Sequence, residues 1–299
     1  MNDVTLRQLQ YFVAVAETQS ITKAADRSHV SQAAVSLAIT DLEKSLGVTL
    51  TIRRRAKGVA LTAEGRAILT DARVMLDQAK ELAERASQAR NELSGPLALG
   101  CFRTLSMHVV PHLVQWFAER HPKVSLTVHE GNGREIQERM QNGQLAACVI
   151  YEAQLLSNSQ PVLIQEQRRQ VILSVDHELT TPEEIPLRDL AQYPAVLLDE
   201  APALERTLNE FHSRSLEPHI LLRTRSVQTA QNVIGRGLAY GLLMHRPRNS
   251  PEGRPLTGRP IADDLPRNAL MMTVPPGRHT AKIRALHEAL LALPDHSKE

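Results

Sequence analysis

A polar face near the start of the chain carries side chains that can hydrogen-bond to the edges of DNA bases. It lies on one side of a helical pattern, and its members are Ser31, Gln32, Ala33, Ser36, Leu37 and Thr40. Glutamine can pair with an adenine edge, hydroxyl groups donate to bases or phosphates, and apolar groups contact the thymine methyl. An ordinary three-helix bundle with a solvated face would show the same pattern. This helix alone therefore leaves both interpretations open.

A cluster of basic residues follows that helix. It consists of Arg53, Arg54, Arg55 and Lys57. The cluster lies between Leu50–Ile52 and Val59–Leu61, two short apolar segments that predict a hairpin with Gly58 near its tip. Four cations crowded on a two-stranded wing repel one another unless a polyanion is bound. We therefore predict phosphate contacts by a winged helix-turn-helix, although the net charge of +2 is too small to indicate nucleic-acid binding by itself.

A second group of polar residues follows the apolar segment Leu97–Cys101. Thr104 and Ser106 would lie at the N-terminus of a helix, where hydroxyl and amide groups can hold a carboxylate, and Arg103 adds positive charge. Open parallel sheets bind ligands at the carboxyl ends of their strands. The other predicted strand ends are Glu130–Gly133, Tyr151, Glu200–Pro202 and Met244–His245. We therefore predict a ligand-binding cleft at this edge.

Groups that would support catalysis or metal binding are sparse. The two cysteines, Cys101 and Cys148, lack metal-ligand spacing, and either buried thiols or a redox pair would fit them. His108 and His112 have helical spacing but no carboxylate nearby, which makes a weak metal signal. Gly131–Gly133 lacks the third glycine of a dinucleotide fingerprint. We therefore expect no catalytic residues, no metal site and no cofactor.

Helical elements position the first candidate face. Apolar residues recur at helical spacing from Leu6 to Ala16, and Ser20 and Ser31 can cap two further helices, the last ending at Gly47. From Thr62 to Leu93 a heptad seam runs for roughly four heptads. A single helix of this length has no core in which to bury the seam. The seam therefore predicts a dimer in which the same helix of a second copy packs against it, in parallel or antiparallel orientation. Packing of the seam on its own domain is the alternative.

The remainder of the chain alternates between strands and helices. The predicted strands are 97–101, 124–128, 145–151, 171–175, 195–199, 220–224, 238–244 and 269–274, and the predicted helices are 107–120, 135–141, 203–213, 227–236 and 280–293. This alternation predicts a parallel sheet covered on both faces. Residues 246–260 are rich in Pro, Gly and Arg and predict an exposed loop.

Composition limits the classes of protein that fit. A chain of 299 residues suits two or three domains, and the hydrophobic content of 42% with 3% aromatic residues predicts aliphatic cores. No apolar stretch approaches the length of about 18 residues that a membrane span needs, and the N-terminus lacks a secretory signal pattern. We therefore expect a cytoplasmic protein with no membrane partner.

Several motifs together identify a family resemblance. They are Leu6–Phe12, Ser20–Ala25, His29–Gln32, Leu42–Glu43, Leu46–Val48 and Leu61–Gly65. Through these highly specific motifs the chain resembles the LysR-type bacterial transcription regulators, and the match is looser after the linker helix. The resemblance implies an N-terminal winged helix-turn-helix (1–61), a long linker helix (62–94) and a two-subdomain, periplasmic-binding-protein-like α/β effector domain (95–299). Its subdomain I would comprise residues 95–166 and 266–299, and its subdomain II residues 167–265.

The resemblance also implies partners and contacts. It implies double-stranded operator DNA, a small-molecule effector held between the subdomains, and a homodimer or homotetramer joined through the linker helices. Carried over by position, the effector contacts are Thr104, Leu105 and Gly133 on one lobe and Pro202 on the other, while Tyr151, Ser226 and Met244 are placed by strand and helix ends. A solute-binding or redox-sensing α/β protein with a helical dimerisation module is the alternative.

The sequence departs from the family pattern at positions that matter for DNA reading. Ala33 stands in place of the usual proline, Leu37 in place of an arginine, and Ala38 in place of a glutamine. Ser28 replaces an apolar residue before the turn, and Thr51 replaces an aromatic residue in the wing. Loss of the helix arginine removes a guanine-reading side chain, so base recognition would rest on Gln32, Ser36 and the wing.

Overall fold

A computed structural model describes residues 4–54, 58–88, 93–157, 159–275 and 280–294, with only the backbone at 53, 54, 77, 80, 81 and 83–88. The chain divides into two compact units, one of residues 1–95 with 276–284 and the other of residues 96–275 with 285–299. No helix in these ranges is long and apolar enough to cross a membrane.

Three short helices form the core of the first unit. They are α1 (Leu6–Thr18), α2 (Ile21–Arg27) and α3 (Gln32–Leu46). Each begins at a hydroxyl cap: Thr5, Ser20 and Ser31 accept hydrogen bonds from the backbone N–H groups of Gln8, Lys23 and Ala34 respectively. The three helices bury Phe12, Val15, Ala24, Ala25, Val35 and Leu42 together. The predicted helix boundaries are confirmed because caps and apolar periodicity agree at each of them.

A two-stranded wing follows the helices. Strand β1 (Thr51–Arg54) pairs antiparallel with β2 (Gly58–Leu61), with Thr51 opposite Leu61. Gly58 has a positive φ of 76°, and a Cβ there would lie 2.4 Å from the carbonyl oxygen of Gln19. The neighbouring Val59 donates its N–H to that same oxygen at 2.9 Å. Glycine at position 58 is therefore required where the wing meets the end of α1.

The long helix α4 (Ala63–Gln88) begins at Thr62, whose hydroxyl accepts the N–H of Gly65 at 2.8 Å. Its predicted seam divides in two. Ile68 and Ala72 pack in the core of the first unit, whereas Met75 and Leu82 are 47% and 72% exposed. The alternative prediction, that the seam packs on its own domain, is therefore correct for the first turns of the helix. Of the later seam positions, only the backbone of Ala86 is described and Ala89 lies outside the described residues. The last predicted position, Leu93, is not in a helix.

The second unit contains two lobes, each built on a five-stranded sheet. The first sheet has the order β4-β3-β5-β12-β6 and consists of β3 (Gly95–Phe102), β4 (Val124–Gly131), β5 (Ala147–Tyr151), β6 (Gln160–Gln167) and β12 (Asn268–Val274). Strands β3 and β5 run parallel, and β12 runs antiparallel to β5 and β6. Helices α5 (Arg103–Arg120), α6 (Gly133–Gln141) and α10 (Ala281–Leu291) follow three of these strands. We call this sheet with α5 and α6 the first lobe.

The second lobe lies between β6 and β12 in the chain. Its sheet has the order β11-β7-β10-β8-β9 and consists of β7 (Gln170–Ser174), β8 (Pro194–Leu198), β9 (His219–Thr224), β10 (Tyr240–Leu243) and β11 (Leu256–Pro260). Strand β8 runs parallel to β9 and β10, and β7 runs antiparallel to β10 and β11. The lobe also contains α7 (Leu187–Leu190), α8 (Ala203–His212) and α9 (Val227–Gly235).

The sheets correct two details of the sequence prediction. The prediction of a wholly parallel sheet is wrong, since each of the two five-stranded sheets contains antiparallel pairs of strands. Residues 246–260 are not a loop throughout, because β11 ends that range as an edge strand. Gly258 and Pro260 are residues that strands seldom contain, so the sequence did not indicate a strand here. An edge strand tolerates proline because the N–H groups on its outer side have no partner strand. The predicted combination of a winged helix-turn-helix with an α/β domain of two lobes is confirmed.

Candidate nucleic-acid interface and ligand cavity

Helix α3 exposes the face that the sequence predicted. Ser31, Gln32, Ala33, Leu37 and Thr40 are exposed, and Ser36 is half-buried. The opposite face buries Val35, Ile39 and Leu42, which fixes the rotation of the helix about its axis. Leu37 is 62% exposed although it is apolar. The exposed face can therefore offer an amide, hydroxyl groups and apolar contacts to a groove of DNA.

One carboxylate joins α3 to the wing. An Oε1 atom of Glu43 accepts hydrogen bonds from the N–H groups of Leu50 and Thr51 at 2.7 and 2.9 Å, and from the Thr51 hydroxyl at 3.1 Å. Hydrogen bonds to a charged acceptor are stronger than neutral ones. Glu43 therefore fixes the start of β1 relative to the helix. Reasoning from single residues missed this role, although the Leu42–Glu43 motif carried the signal.

The predicted basic cluster lies on and beyond β1. The backbones of Arg53 and Arg54 pair with those of Val59 and Gly58 in the wing. Arg55 and Lys57 lie outside the described residues. The wing strands thus put the backbone of the first two arginines at the end of the hairpin nearest its turn.

A cavity of about 770 Å³ is lined by residues of both lobes. Of the nine predicted effector contacts, Thr104, Tyr151 and Met244 line it. Phe102 and Tyr151 pack edge to face with ring centroids 6.0 Å apart. Burial raises the pKa of Tyr151 above its ordinary value, while a hydrogen bond with Thr104 partly opposes that effect. The phenol therefore stays neutral and presents a hydroxyl group beside Thr104.

The other six predicted contacts lie outside the cavity lining. Leu105 and Ser106 are buried in the first turn of α5, where the Ser106 hydroxyl donates to the carbonyl of Arg103 at 3.0 Å. A Cβ at Gly133 would lie 2.4 Å from Oε1 of Gln154, so that glycine is covered. Pro202 and Ser226 are the residues that precede α8 and α9. The sixth contact, Arg103, forms an ion pair with Glu200 at 3.5 Å.

Among the described residues, two polar contacts join the lobes beside the cavity, and neither was predicted from the sequence. The first is the ion pair between Arg103 at the start of α5 and Glu200 after β8. In the second, Nε2 of Gln154 donates to the carbonyl of Ala201 at 3.0 Å. Gln154 and Glu200 also line the cavity. These residues come from segments far apart in the chain, and no local pattern marks such a meeting.

A buried amide holds the segment that carries Gln154. Gln137 on α6 donates through Nε2 to the carbonyls of Gly133 and Gln154, at 2.7 and 2.8 Å. Its Oε1 accepts from the N–H of Leu156 and the hydroxyl of Ser159, at 3.1 and 2.8 Å. All four hydrogen-bonding sites of this side chain are thus used. The segment after β5 is therefore fixed to the first lobe, which positions Gln154 towards the second.

The two cysteines lie inside the first lobe. Both are buried free thiols, and Sγ of Cys148 lies 3.2 Å from the carbonyl of Ile136, to which it donates. Burial raises the pKa of Cys101 far above its ordinary value and that of Cys148 to about 12. The thiolate is the reactive form, so both groups stay unreactive near neutral pH. In the described part of the chain, no group of three His, Cys, Asp or Glu side chains has an arrangement that could hold a metal ion.

Comparison with known families matches both units. Residues 6–66 match the family model "Bacterial regulatory helix-turn-helix protein, lysR family", and residues 90–294 match the model "LysR substrate binding domain". Among curated proteins, the uncharacterized HTH-type transcriptional regulator YvbU of Bacillus subtilis is 29% identical over 266 residues, covering 88% of each chain. The transcriptional dual regulator OxyR of Escherichia coli is 27% identical over 244 residues, covering 80% of this chain and 79% of its own.

Solved structures give the same picture. The LysR family regulator HinK of Pseudomonas aeruginosa is 25% identical and superposes with a TM-score of 0.62, covering 97% of this chain and 98% of its own. A full-length OxyR variant from the same organism is 24% identical and superposes with a TM-score of 0.74, covering 97% and 96%. The latter likeness supports the fold alone.

Proposed function

Because the chain belongs to the LysR family of bacterial transcriptional regulators, we propose that it binds operator DNA through α3 and the wing, and that a small molecule in the cavity controls this binding. The observation that carries the proposal is the exposed face of α3, held by a buried opposite face and by Glu43. Helices of this kind place their first turns against base edges in the major groove. The proposed base contacts are Gln32 and Ser36, and the apolar contacts are Ala33 and Leu37.

The proposed assembly is a homodimer or homotetramer formed through α4. Met75 and Leu82 support it, because both are large apolar side chains on the exposed side of that helix. Two-fold symmetric regulators bind two half-sites, so a dimer would recognise an operator with inverted repeats. The site of action is then the cytoplasm, where the DNA is, and the proposal includes no catalytic step.

A selection experiment tests the DNA-binding proposal. Genomic fragments retained by the purified protein are sequenced, and the selected site is used in gel shifts at several salt concentrations. We expect simultaneous replacement of Arg53, Arg54 and Arg55 with Ala to weaken binding to all sequences. The affinity should also depend less steeply on salt, because a protein that makes fewer phosphate contacts releases fewer counterions when it binds. Gln32→Ala should instead weaken the selected site more than random DNA. Unchanged affinity of both variants would refute the proposed interface.

For the effector we propose a small carboxylate held by the hydroxyl groups of Thr104 and Tyr151. Thr104 lies in the first turn of α5, where backbone N–H groups favour a negative charge. We expect Thr104→Val to weaken binding of the carboxylate by about 10- to 150-fold while leaving operator binding without effector intact, since a hydrogen bond to a charged group contributes about 1.5–3 kcal/mol. Calorimetry with a panel of aliphatic and aromatic carboxylates measures this. Thr127→Val, on an exposed position of β4, is the matched control, and equal affinities for wild type and Thr104→Val would exclude the contact.

The relatives also raise a redox alternative. Several similar proteins are named hydrogen peroxide-inducible genes activators, including one from Pectobacterium carotovorum that is 27% identical over 241 residues, covering 80% of each chain. A thiol sensor needs an accessible thiolate. Cys101 and Cys148 are buried with raised pKa values. The chemistry of these thiols favours control by a bound ligand over control by oxidation.

A further inference from the structure

Helix α8 of the second lobe contacts both chain segments that connect the two lobes. The chain passes between the lobes at residues 168–169, which join β6 to β7, and again at residues 261–267, which join β11 to β12. We call these segments the first and the second crossover. Lobes of this kind close by changes of φ and ψ in a few connecting residues. A contact that fixes a crossover to one lobe therefore restricts rotation of the other lobe.

Arg169 joins the first crossover to the middle of α8. Its Nη1 donates to the hydroxyl of Thr207 at 2.8 Å, and its Nη2 donates to Oε1 of Glu210. The charged side chains of Arg169 and Glu210 are only 13% and 12% exposed. Salt screens such a pair weakly, and removal of one partner would leave a buried charge. The first crossover is therefore fixed to α8 by two hydrogen bonds, one of them between opposite charges.

Arg214 joins the second crossover to the end of α8, which it follows by two residues. Its Nε donates to Oδ1 of Asp263 at 3.0 Å, and its Nη1 donates to the carbonyl of Glu210 at 3.0 Å. Oδ2 of Asp263 accepts the N–H of Leu187, at the start of α7, at 2.7 Å. Asp263 is thus held by two donors of the second lobe. Both crossovers are therefore fixed to the same helix.

The beginning of α8 makes the contacts with the first lobe. Gln154 donates to the carbonyl of Ala201, and Arg103 pairs with Glu200, directly before the helix. The ten residues of α8 span about 15 Å as a single helical element. One rigid element therefore connects the contacts between the lobes to both crossovers.

The contacts of α8 with the crossovers also lie beside the cavity. Arg169, Thr207, Glu210 and Arg214 line it together with Thr104 of the first lobe. A molecule that fills the cavity would therefore be surrounded in part by these contacts. Packing of α8 within the second lobe would explain each contact singly. It would not explain why the polar contacts of one helix reach both crossovers and the first lobe.

We propose that Arg169 and Arg214 are positioning residues that make α8 a clamp on the two crossovers, and that operator binding follows the angle between the lobes that this clamp sets. An effector bound beside the clamp shifts the population of lobe angles by its different affinities for them. The signalling half of this inference rests on the proposed control of operator binding by the cavity, whereas the clamp itself does not.

Distances between spin labels test the clamp. Labels at Leu163→Cys on β6 and Leu221→Cys on β9, which are exposed positions, report the separation of the lobes in the full-length protein. Labelled chains are mixed with an excess of unlabelled ones, so that distances within one chain are measured. The first variant is Asp263→Asn, because Asp263 is not part of the cavity lining and asparagine keeps its shape while it removes the charge.

We expect Asp263→Asn to increase the ratio of open to closed lobes by at least about fivefold, because a hydrogen bond between opposite charges is lost. Glu210→Gln, which removes the charge that Arg169 contacts, should shift the ratio in the same direction. In combination with Gln154→Ala, the effect of Asp263→Asn should differ by at least about twofold from its effect alone, since residues that act on one element are not additive. Independent effects would exclude α8 as the connection.

A matched ion pair provides the control. Arg236 pairs with Glu252 inside the second lobe through hydrogen bonds of 3.0 and 2.7 Å, and Arg236→Gln should leave the distance distribution unchanged. Circular dichroism melting checks that each variant is folded at the temperature of the measurement. A purely structural role would lower the melting temperature of Asp263→Asn and Glu210→Gln and leave their distance distributions as in the wild type. That result would overturn the clamp.

A gel shift with the selected operator fragment separates this inference from the proposed function. We expect Asp263→Asn and Glu210→Gln to change the operator affinity by at least about fivefold, as coupled sites do, and Arg236→Gln to leave it unchanged. Altered lobe distances with unchanged operator affinity would overturn the signalling role. Absence of any operator binding by the wild type would instead contradict the proposed function, while the distance measurement would still decide the clamp.

Discussion

Leu37 presents a large apolar side chain in the middle of the α3 face that is proposed to enter the DNA. Leu37 is 62% exposed, so it adds little to the core and is available for the proposed contact with DNA. In the major groove an apolar group can meet the methyl of thymine, but it cannot satisfy the acceptors of guanine. At the scale of one residue, we therefore expect the chain to favour an A·T pair at the operator position that Leu37 contacts.

Replacement of this residue tests that preference. We expect Leu37→Arg to change the unfolding free energy by less than about 0.5 kcal/mol, because the side chain is exposed. We expect it to increase the preference for guanine at one operator position by roughly 5- to 150-fold, which corresponds to about 1–3 kcal/mol for a bidentate contact. Sequencing of selected fragments measures the preference. Leu37→Ala is the control, and the same selected sites for Leu37→Arg and wild type would contradict the assignment.

The buried thiols give a second prediction at this scale. Raised pKa values keep Cys101 and Cys148 protonated at pH 8, so we expect the native protein to react with a disulfide reagent far more slowly than the unfolded protein. The colour released from native and denaturant-unfolded samples measures this, and the unfolded chain should release two equivalents because it contains two cysteines. Rapid reaction of either thiol in the native protein would revive the redox alternative.

Strand and helix ends predicted part of the cavity lining from the sequence. Thr104, Tyr151 and Met244 lie at such ends and line the cavity, whereas Pro202 and Ser226 also precede helices and do not line it. The contacts of Gln154 with Ala201 and of Arg103 with Glu200 could not be predicted, because each depends on two segments that meet only after the lobes have folded. A pattern within one segment contains no information about such a contact.

At the scale of elements, α3 and the wing behave as one unit because Glu43 joins them. We expect Glu43→Ala to accelerate hydrogen exchange of the Leu50 and Thr51 amides by about 10- to 150-fold, since loss of hydrogen bonds to a charged acceptor costs about 1.5–3 kcal/mol. Mass spectrometry of the peptides covering β1 measures the exchange. Glu64→Ala, at the exposed first turn of α4, is the matched control. Unchanged exchange in Glu43→Ala would show that the wing is held by its other contacts.

Elements with strong local signals were predicted well, whereas two edge strands, β6 and β11, were missed. The three hydroxyl caps of α1, α2 and α3 define their beginnings without help from the rest of the fold. Strand β6 begins with polar Gln160 and with Pro161, and β11 contains Gly258 and Pro260. Both are edge strands that take their structure from pairing with β12 and β7. These two segments therefore form strands mainly because they pair with a neighbouring strand, and their own residues favour a strand only weakly.

At the scale of the molecule, the Arg103–Glu200 ion pair and the Gln154–Ala201 hydrogen bond oppose opening of the cavity. We expect Gln154→Ala to increase the ratio of open to closed lobes by roughly fivefold, because one hydrogen bond contributes about 1 kcal/mol. Spin labels attached at Leu163→Cys and Leu221→Cys, which are exposed positions on β6 and β9, would report the distance between the lobes. Gln115→Ala removes a hydrogen bond to Glu119 within α5 and is the control. An unchanged distance distribution would exclude Gln154 as a restraint.

The architecture of the whole chain was predictable, but the direction of its strands was not. Alternation of strands and helices predicts an α/β domain, and crossover helices predict parallel neighbours. Strand β12 breaks that rule because it enters the first sheet after the chain has built the second lobe. It lies buried between β5 and β6, so its sequence is mostly apolar. Such a sequence predicts a buried strand but does not indicate whether the strand is parallel or antiparallel to its neighbours.

The central position of β12 also has a consequence for biosynthesis. The strand lies in the interior of the first sheet, yet it is encoded after the whole second lobe. The second lobe is contiguous in sequence and can fold as it leaves the ribosome, whereas β5 and β6 lack the strand between them until residues 268–274 have emerged. The first half of the effector domain to be translated is therefore the last to be completed, and its unpaired strand edges need protection from other nascent chains until then.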